Sequence, residues 1–363
     1  MNFFQRKRIL VTGACGTIGS QLISQLLQDP LYQVQEVIGI DNNENQIFFH
    51  DQKYIQDPRI HFYIADVRDF GGIDRLMEDI DIVFHTAAMK HVIVSERSPE
   101  QAIQTNIIGV QNIIDSATKN NVGNVVFTSS DKAVNPTNVM GTSKLMGERL
   151  ITAANSRQRG QGTIFSSTRF GNVLGSSGSV IPIFHNQIAT GRSITVTDVA
   201  MTRFVMSTDQ AVSLVIASAE KAQGGEVFIT KMPVIRIMDL AKTMIMELGP
   251  IYEREPERVN IDIIGCKPGE KVYEELMSQE ETRRAFELDQ YFVVLPAFRG
   301  IYQDISYDYN NIISKTVGMP YTSAEEPPLS THEITNFLKE NQLFQAPSED
   351  TFSRYWPGDK KGN

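Results

Sequence analysis

The stretch ILVTGACGTIGSQL, residues 9–22, decides the fold. Ile9, Leu10 and Val11 form a short apolar run, Gly13, Gly16 and Gly19 follow at three-residue spacing, and a helical pattern starts at Thr17. A strand that turns through glycines into a helix brings backbone amides close to a pyrophosphate, whose charge rests at the helix N-terminus. Glycines alone are common in turns. Asp41 adds the second signal, because an acid closing the next strand about 20 residues on takes ribose hydroxyls. It also repels a 2′-phosphate, which favours NAD, although Asn42 and Asn43 leave NADP open if Asp41 turns away. Cys15, inside the loop, reads as a small filler.

Outward from this loop, β-branched runs recur at Val37–Ile40, Ile60–Ile64, Ile82–Phe84 and Val125–Phe127, with a sixth strand expected over Gly162–Thr168. Helical segments separate them, one from a Ser98-Pro99-Gln101 start signature and one over Val139–Ser156. Near-continuous apolar strands with helices between them predict an α/β fold with a doubly wound parallel sheet, of the Rossmann type. The expected division is a dinucleotide-binding domain over 1–175, with later returns of the chain near 200–230. A smaller C-terminal α/β substrate-binding lobe covers 176–330, and a C-terminal helix and polar tail cover 331–363. Beyond Arg169, helices are expected near Val180–Thr190, Asp209–Lys221 and Ile237–Leu248, and a strand at Val227–Thr230. KPGEKVYEEL, residues 267–276, reads as a turn opening into a helix, and Ser330 with Glu333 as a capping box. Residues past about Asp289 carry no assigned role.

Composition narrows the function classes. With 41% apolar and 21% charged residues over 363 positions the chain is ordinary for a globular protein. Lys plus Arg number 34 against 43 Asp plus Glu, a net charge of -9, which argues against binding nucleic acid through its phosphates. No run reaches the ~20 apolar residues of a membrane span. Two cysteines, Cys15 and Cys266, build no disulfide framework, so a cytoplasmic location is expected. No metal site is expected.

The most informative stretch is TSSDKAVNPTNVMGTSKLMGE, residues 128–148. Sites of open α/β sheets lie beyond the carboxyl ends of strands, so Ser130, Asp131 and Lys132 are expected in the crevice. Met140 and Lys144 follow at i and i+4 on one helix face.

The G-x-x-G-x-x-G loop, Asp66-Val67, His85-Thr86-Ala87-Ala88, Asn106 and Lys144 together resemble the extended short-chain dehydrogenase/reductase family. That resemblance implies coenzyme contacts from Gly13, Gly16, Thr17, Ile18, Gly19, Asp41, Asn42, Asp66, Val67, Ala87, Ala88, Lys90, Asn106 and Lys144. The family's usual pair is Tyr and Lys, in which the ammonium lowers the phenol pKa. Here Met140 stands in place of the Tyr, and a thioether moves no proton. AAMKHV, SSDKAVNPTNVMGTSK, TRFGNVLGSSGSVIPIF, TRFVMS and KPGEKVYEEL narrow the resemblance to UDP-N-acetylglucosamine 4,6-dehydratases of bacterial polysaccharide biosynthesis, over about Ile9–Leu276. Some of those relatives carry Met at this place. Many begin with a membrane-embedded region, so this chain resembles the short soluble forms.

The resemblance implies a reaction without net redox. Hydride leaves C4 for a tightly held NAD, water is eliminated across C5 and C6, and the hydride returns to C6. Lys132 is then the expected C5 base, Asp131 the acid at O6, Ser130 the hydrogen-bond partner of the C4 oxygen, and Lys144 the contact to the nicotinamide ribose. The taker of the C4 hydroxyl proton stays open between Asp131 and a water relay. Substrate contacts are expected from Met89, Lys90, His91, Asn172, Ser179, Val180, Arg203, Lys267 and Glu270, with UDP-N-acetylglucosamine or a related UDP-sugar as partner. The helices from Ser98 and Val139 are long enough for a homodimer seam. Two other functions compete: a C4 epimerase on the same scaffold, and a coenzyme-binding scaffold with a dead site, which Met140 favours and Asp131, Lys132 and Lys144 oppose.

Overall fold

The computed structural model describes residues 2–157, 162–176, 179–266, 268–298 and 305–345. Strands β1 (Arg8–Thr12), β2 (Glu36–Asp41), β3 (Ile60–Ile64), β4 (Ile82–His85), β5 (Asn124–Ser130) and β6 (Ile164–Phe170) lie in the parallel order β3-β2-β1-β4-β5-β6. Between them run α1 (Thr17–Gln28), α2 (Glu44–Lys53), α3 (Phe70–Leu76), α4 (Val92–Arg97), α5 (Pro99–Ile103), α6 (Gly109–Lys119) and α7 (Val139–Arg157). The doubly wound sheet expected from the apolar runs is present. Its central strands are buried on both faces, and Ile9, Leu10, Val11, Val125, Val126 and Phe127 are all fully covered. At roughly 1.5–3 kcal/mol for each buried large apolar side chain, such strands fix the register of every loop at their ends.

The chain divides into two compact units. The first takes the residues up to Phe170, Asp209–Lys231 and Glu275–Thr322; the second takes Gly171–Thr208, Met232–Glu274 and the chain from Ser323. Segment 275–322, which the sequence reading leaves with the sugar lobe, therefore belongs to the first unit. It extends the sheet beyond β6. Val227–Thr230 pairs parallel to β6, then Tyr291–Val294, Ala285–Leu288 and Ile312–Ser314 add in antiparallel fashion. An open parallel sheet leaves an unpaired edge, and this hairpin covers one of them.

The second unit has a three-stranded sheet of Asn172–Val173, Thr202–Met206 and Val234–Arg236 and a parallel pair of Ile194–Val196 with Ile261–Ile263. Helices Val180–Ala189, Ile237–Leu248 and Thr331–Glu340 enclose a core that includes Phe184, Leu240, Met244 and Ile334. Ser330 and Glu333 form the reciprocal capping box.

Two local expectations are corrected. KPGEKVYEEL opens no helix, and Glu275–Met277 is a strand paired with Tyr321–Thr322. Gly269 at φ +78 breaks helical geometry, and the Glu274 carboxylate is drawn into tertiary bonds. Ser98 stands before α5, but its side chain makes no cap bond and its backbone lies at φ -136, ψ 63. The helix instead runs into a π-turn at Gln104–Ile108. Positions 346–363 of the expected tail lie outside the described residues.

Inside the first unit, Arg169 of β6 is 1% exposed and clamps Glu148 of α7 and Glu281. Burial pushes the Glu281 carboxyl up, but Arg169 outweighs it and the result is a pKa lowered to about 2. A depressed carboxylate stabilises fully above its unfolded value near 4.5 and loses that contribution as pH falls through the folded one. Acid titration followed by circular dichroism is expected to remove on the order of 3 kcal/mol of stability between those two values. Glu281→Gln is expected to flatten that part of the curve.

Candidate active site

The loop after β1 is built for close approach. Gly13 has φ +67, and a Cβ there would lie 2.7 Å from the Ala87 nitrogen; one on Gly19 would overlap the Gly13 carbonyl. The helix cap Gly16 brings no side-chain bond, so the first amides of α1, from Thr17 and Ile18 onward, retain the polarity that suits a pyrophosphate. Asp41 is tied to this loop, accepting from the Cys15 amide at 3.2 Å and the Asn43 amide at 3.1 Å. Cys15 is a poor nucleophile: burial, then the Asp41 charge, push its thiol up to about 12. A dinucleotide suits these residues, because the amides after Gly16 have no side-chain cap and the glycines keep side chains out of the loop.

At the next strand ends, Asp66 holds Arg68 through both carboxylate oxygens, and Arg68 reaches Gln101 at 2.9 Å. The Arg68 hydrogen bonds hold the Asp66 carboxyl below its usual range. Val67 is buried against α6, where a Cβ on Gly109 would lie 2.8 Å from it. Ala87 and Ala88 follow β4, with the Ala87 amide on Thr12 Oγ1 at 3.2 Å. Lys90 is exposed and His91 half-buried at the start of α4.

Asn106, expected at the coenzyme, is engaged within the fold. It is 1% exposed in the π-turn. Its amide accepts from the Met89 N–H at 2.8 Å and donates to the Met89 carbonyl and to Ser143 Oγ, both at 2.9 Å. Asn106 thus braces the loop after β4 against α7.

At the carboxyl end of β5, Ser130 Oγ donates to Asp131 Oδ1 at 2.6 Å and accepts from the Lys132 amide at 3.3 Å. Lys132 Nζ donates to both Asp131 oxygens at 3.0 Å. The Asp131 side chain is only 3% exposed, whereas that of Lys132 is 32% exposed. These three residues form one hydrogen-bonded chain on a short 3₁₀ turn, Asp131–Ala133.

Helix α7 locks that turn. Asn138 Oδ1 takes the Gly141 amide at 2.8 Å and Glu96 takes the Val139 amide at 2.6 Å, capping the helix. A Cβ on Gly141 would overlap the Lys132 carbonyl oxygen. Met140 is 3% exposed, with no phenol to offer. Lys144 is buried, donates to the Thr128 carbonyl at 2.9 Å and lies 4.7 Å from the Phe127 ring centre. Burial lowers its pKa to about 8, while Glu148 one turn on raises it. His85, stacked on the Phe127 ring at 5.8 Å, is held neutral: burial and then Lys144 lower its pKa to about 3.

In the second unit the substrate candidates are already partnered. Asn172 donates its amide to both oxygens of Glu274, at 2.9 and 2.7 Å, and to the Phe204 carbonyl at 3.1 Å. Arg203 lies 3.2 Å from Glu274 and 3.8 Å from Glu270. A phosphate there would compete with two carboxylates. Ser179 precedes the helix at Val180 with no cap bond, and its Oγ is buried without a hydrogen-bond partner among the described residues. Lys267 lies outside the described residues. The sequence reading missed Glu148, Arg169, Glu274 and Glu281; only Glu148, at i+4 from Lys144, left a local signal.

Residues 9–296 match the family described as polysaccharide biosynthesis protein. The chain belongs to that family. A Campylobacter jejuni protein named UDP-N-acetylglucosamine 4,6-dehydratase (inverting) is 35% identical over 329 residues, 89% of this chain and 94% of its own. A Rickettsia bellii protein named UDP-glucose 4-epimerase is 40% identical over 296 residues, 80% of this chain and 83% of its own. The solved structure of Pen from Bacillus thuringiensis superposes with a TM-score of 0.86 at 41% identity, over 94% of this chain and 99% of that one. Among the described residues of this polysaccharide biosynthesis protein, no helix is long and apolar enough to cross a membrane.

Gly141→Ala is expected to cost about 1–3 kcal/mol, read as a lowered Tm, because the new methyl must displace the Lys132 carbonyl or α7 itself.

Proposed function

We propose that this chain is a UDP-N-acetylglucosamine 4,6-dehydratase. It oxidises C4, eliminates water across C5 and C6 and reduces C6, giving a UDP-4-keto-6-deoxy-N-acetylhexosamine. The observation that carries this reading is the continuous hydrogen-bonded chain of Ser130, Asp131 and Lys132 beside a Met140 that does no acid–base work. Bound NAD supplies the hydride acceptor at C4 and the donor at C6. The loop of Gly13, Gly16 and Gly19, with Asp41 at the ribose, supports NAD over NADP.

The protons balance within the turn. Ser130, hydrogen-bonded to the C4 oxygen, passes the hydroxyl proton along its 2.6 Å bond to Asp131. This gives Asp131 the proton that O6 needs when water departs. Lys132, as neutral amine, takes the C5 proton, and elimination leaves it as ammonium against an ionised Asp131. The 3.0 Å separation of the two groups is short enough to hold that pair. Lys132 then returns its proton to C5. The relay assigns to Ser130 and Asp131 the task a phenol performs elsewhere, so Met140 is compatible with turnover.

Lys144 would meet the nicotinamide ribose and supply positive charge near it. In the second unit, Ser179, Val180, Asn172 and Arg203 would take the diphosphate and uridine, with Glu270 and Glu274 released from Arg203. The exposed apolar residues Ile103, Ile108 and Met146, on and between α5 and α7, support a homodimer seam. Free cysteines at 15 and 266 support a reducing, cytoplasmic setting.

Proton NMR of the protein with UDP-N-acetylglucosamine in deuterated water tests the reading. A new C6 methyl signal with deuterium at C5 is expected. Conversion to the galacto isomer with C6 intact would make it an epimerase, the activity named for the Rickettsia relative. Lys132→Ala is expected to abolish the product while NAD binding persists. Ser130→Ala is expected to lower kcat by roughly 100-fold with KM little changed, in the range of a lost proton-transfer group. Wild-type kcat in Ser130→Ala would sink the relay.

A further inference from the structure

Four charged side chains are buried in an alternating row in the first unit. Lys144 and Glu148 stand at i and i+4 on α7, Arg169 comes from β6, and Glu281 from the short 3₁₀ turn Glu281–Arg284. Each is at most 5% exposed. All five guanidinium N–H groups of Arg169 are engaged. Nε and Nη2 donate to Glu148 at 2.8 and 2.6 Å, Nη1 and Nη2 to Glu281 at 2.9 and 2.7 Å, and Nη1 to the Leu276 carbonyl at 3.0 Å. Glu281 is held in turn by the Ser278 amide at 3.0 Å and hydroxyl at 3.2 Å. With Glu148 alone, Arg169 would cancel the carboxylate that Lys144 has one turn away. With Glu281 present, the four charges of the row sum to zero.

We propose that Arg169 and Glu281 are positioning residues that fix the charge of Lys144. Arg169 locks the Glu148 carboxylate in place, and Glu281, arriving on the far side of the same guanidinium, balances it. The effect deepens the role given above to Lys144 at the nicotinamide ribose and depends on it. Around Lys144, the charged or titratable groups on the elements packed against α7 are His85 on β4, Asp131 and Lys132 on the turn, and the solvent-exposed Glu96, Arg97, Glu100, Asp115 and Lys119 on α4 to α6. The exposed five are screened by water. His85 is neutral across the working range. Arg284, 16% exposed, lies 4.0 Å from Glu281 but is itself paired with Glu280 at 3.0 Å, so the buried row supplies the nearest unscreened charges to Lys144. Removing a negative charge from it favours the neutral amine of Lys144, so the ammonium is lost at lower pH.

The test uses the full chain, with NADH binding by fluorescence from about pH 6.5 to 9.5 and UDP-N-acetylglucosamine turnover over the same range, bracketing the unperturbed-to-shifted lysine range. For Glu281→Gln, which keeps shape and loses charge, the alkaline fall in NADH affinity is expected about 0.5–1 pH unit lower, roughly 3- to 10-fold weaker binding at about pH 8.5. Glu281→Asp, shorter but charged, is expected to move the fall back toward wild type. Glu148→Gln is expected to shift it further in the same direction, and serves if Glu281→Gln does not fold. A purely structural Glu281 would give the opposite order, with Asp worse than Gln and no change in pH dependence, and that result overturns the inference. If wild type binds NADH but leaves UDP-N-acetylglucosamine unchanged, the dehydratase reading fails while the NADH titrations still decide the role of Glu281.

Discussion

One guanidinium governs the geometry of the first unit. Arg169 lies near the end of β6, and its five donors join α7, through Glu148, to the turn at Glu281 and the backbone at Leu276. An ion this deep in protein loses several kcal/mol of hydration and is tolerated only when its donors are saturated and its charge is matched. Both conditions are met here by residues far apart in sequence. The segment that brings Glu281 also supplies the hairpin that seals the sheet beyond Val227–Thr230. Sheet edge and helix position are therefore fixed by the same stretch of chain.

With α7 held in this way, the start of the helix becomes a template for the turn beside it. Gly141 lets the backbone of α7 touch the Lys132 carbonyl, while Asn138 and Glu96 satisfy the helix amides. Asn106 pins the loop after β4 to Ser143 of the same helix. The result is a rigid mount for Ser130, Asp131 and Lys132, where Asp131 is shielded and Lys132 half-open to solvent. A thioether at Met140 fills the place of a phenol by packing alone. The ionisable groups lie on the turn, along a few ångströms of hydrogen-bonded chain.

The second unit shows a different economy of charge. Arg203 and Asn172 are satisfied by Glu274 and Glu270 within their own unit. A diphosphate carries enough negative charge to replace carboxylates at Arg203 by charge-assisted bonds of the same kind. Any anion taken up at Arg203 would gain only the difference between two sets of bonds.

The sequence alone determined the elements whose physics is local. Ile9–Val11 followed by Gly13, Gly16 and Gly19 dictates a strand, a glycine turn and a helix, because apolar periodicity and glycine freedom act within a few residues. The strand ends at Asp41, Asp66, Ala87 and Ser130 follow from the same alternation, and Ser330 with Glu333 from one helix turn. What the sequence left undetermined depends on partners distant along the chain. Ser98 makes no cap bond, Glu275–Met277 forms a strand because Tyr321–Thr322 pairs with it, and Asn106 faces Met89 and Ser143. Glu281, 112 positions from Arg169, carries no local pattern that names its partner. Only the folded chain brings those charges together, since a buried ion finds its counter-ion by proximity in space and not by spacing in sequence.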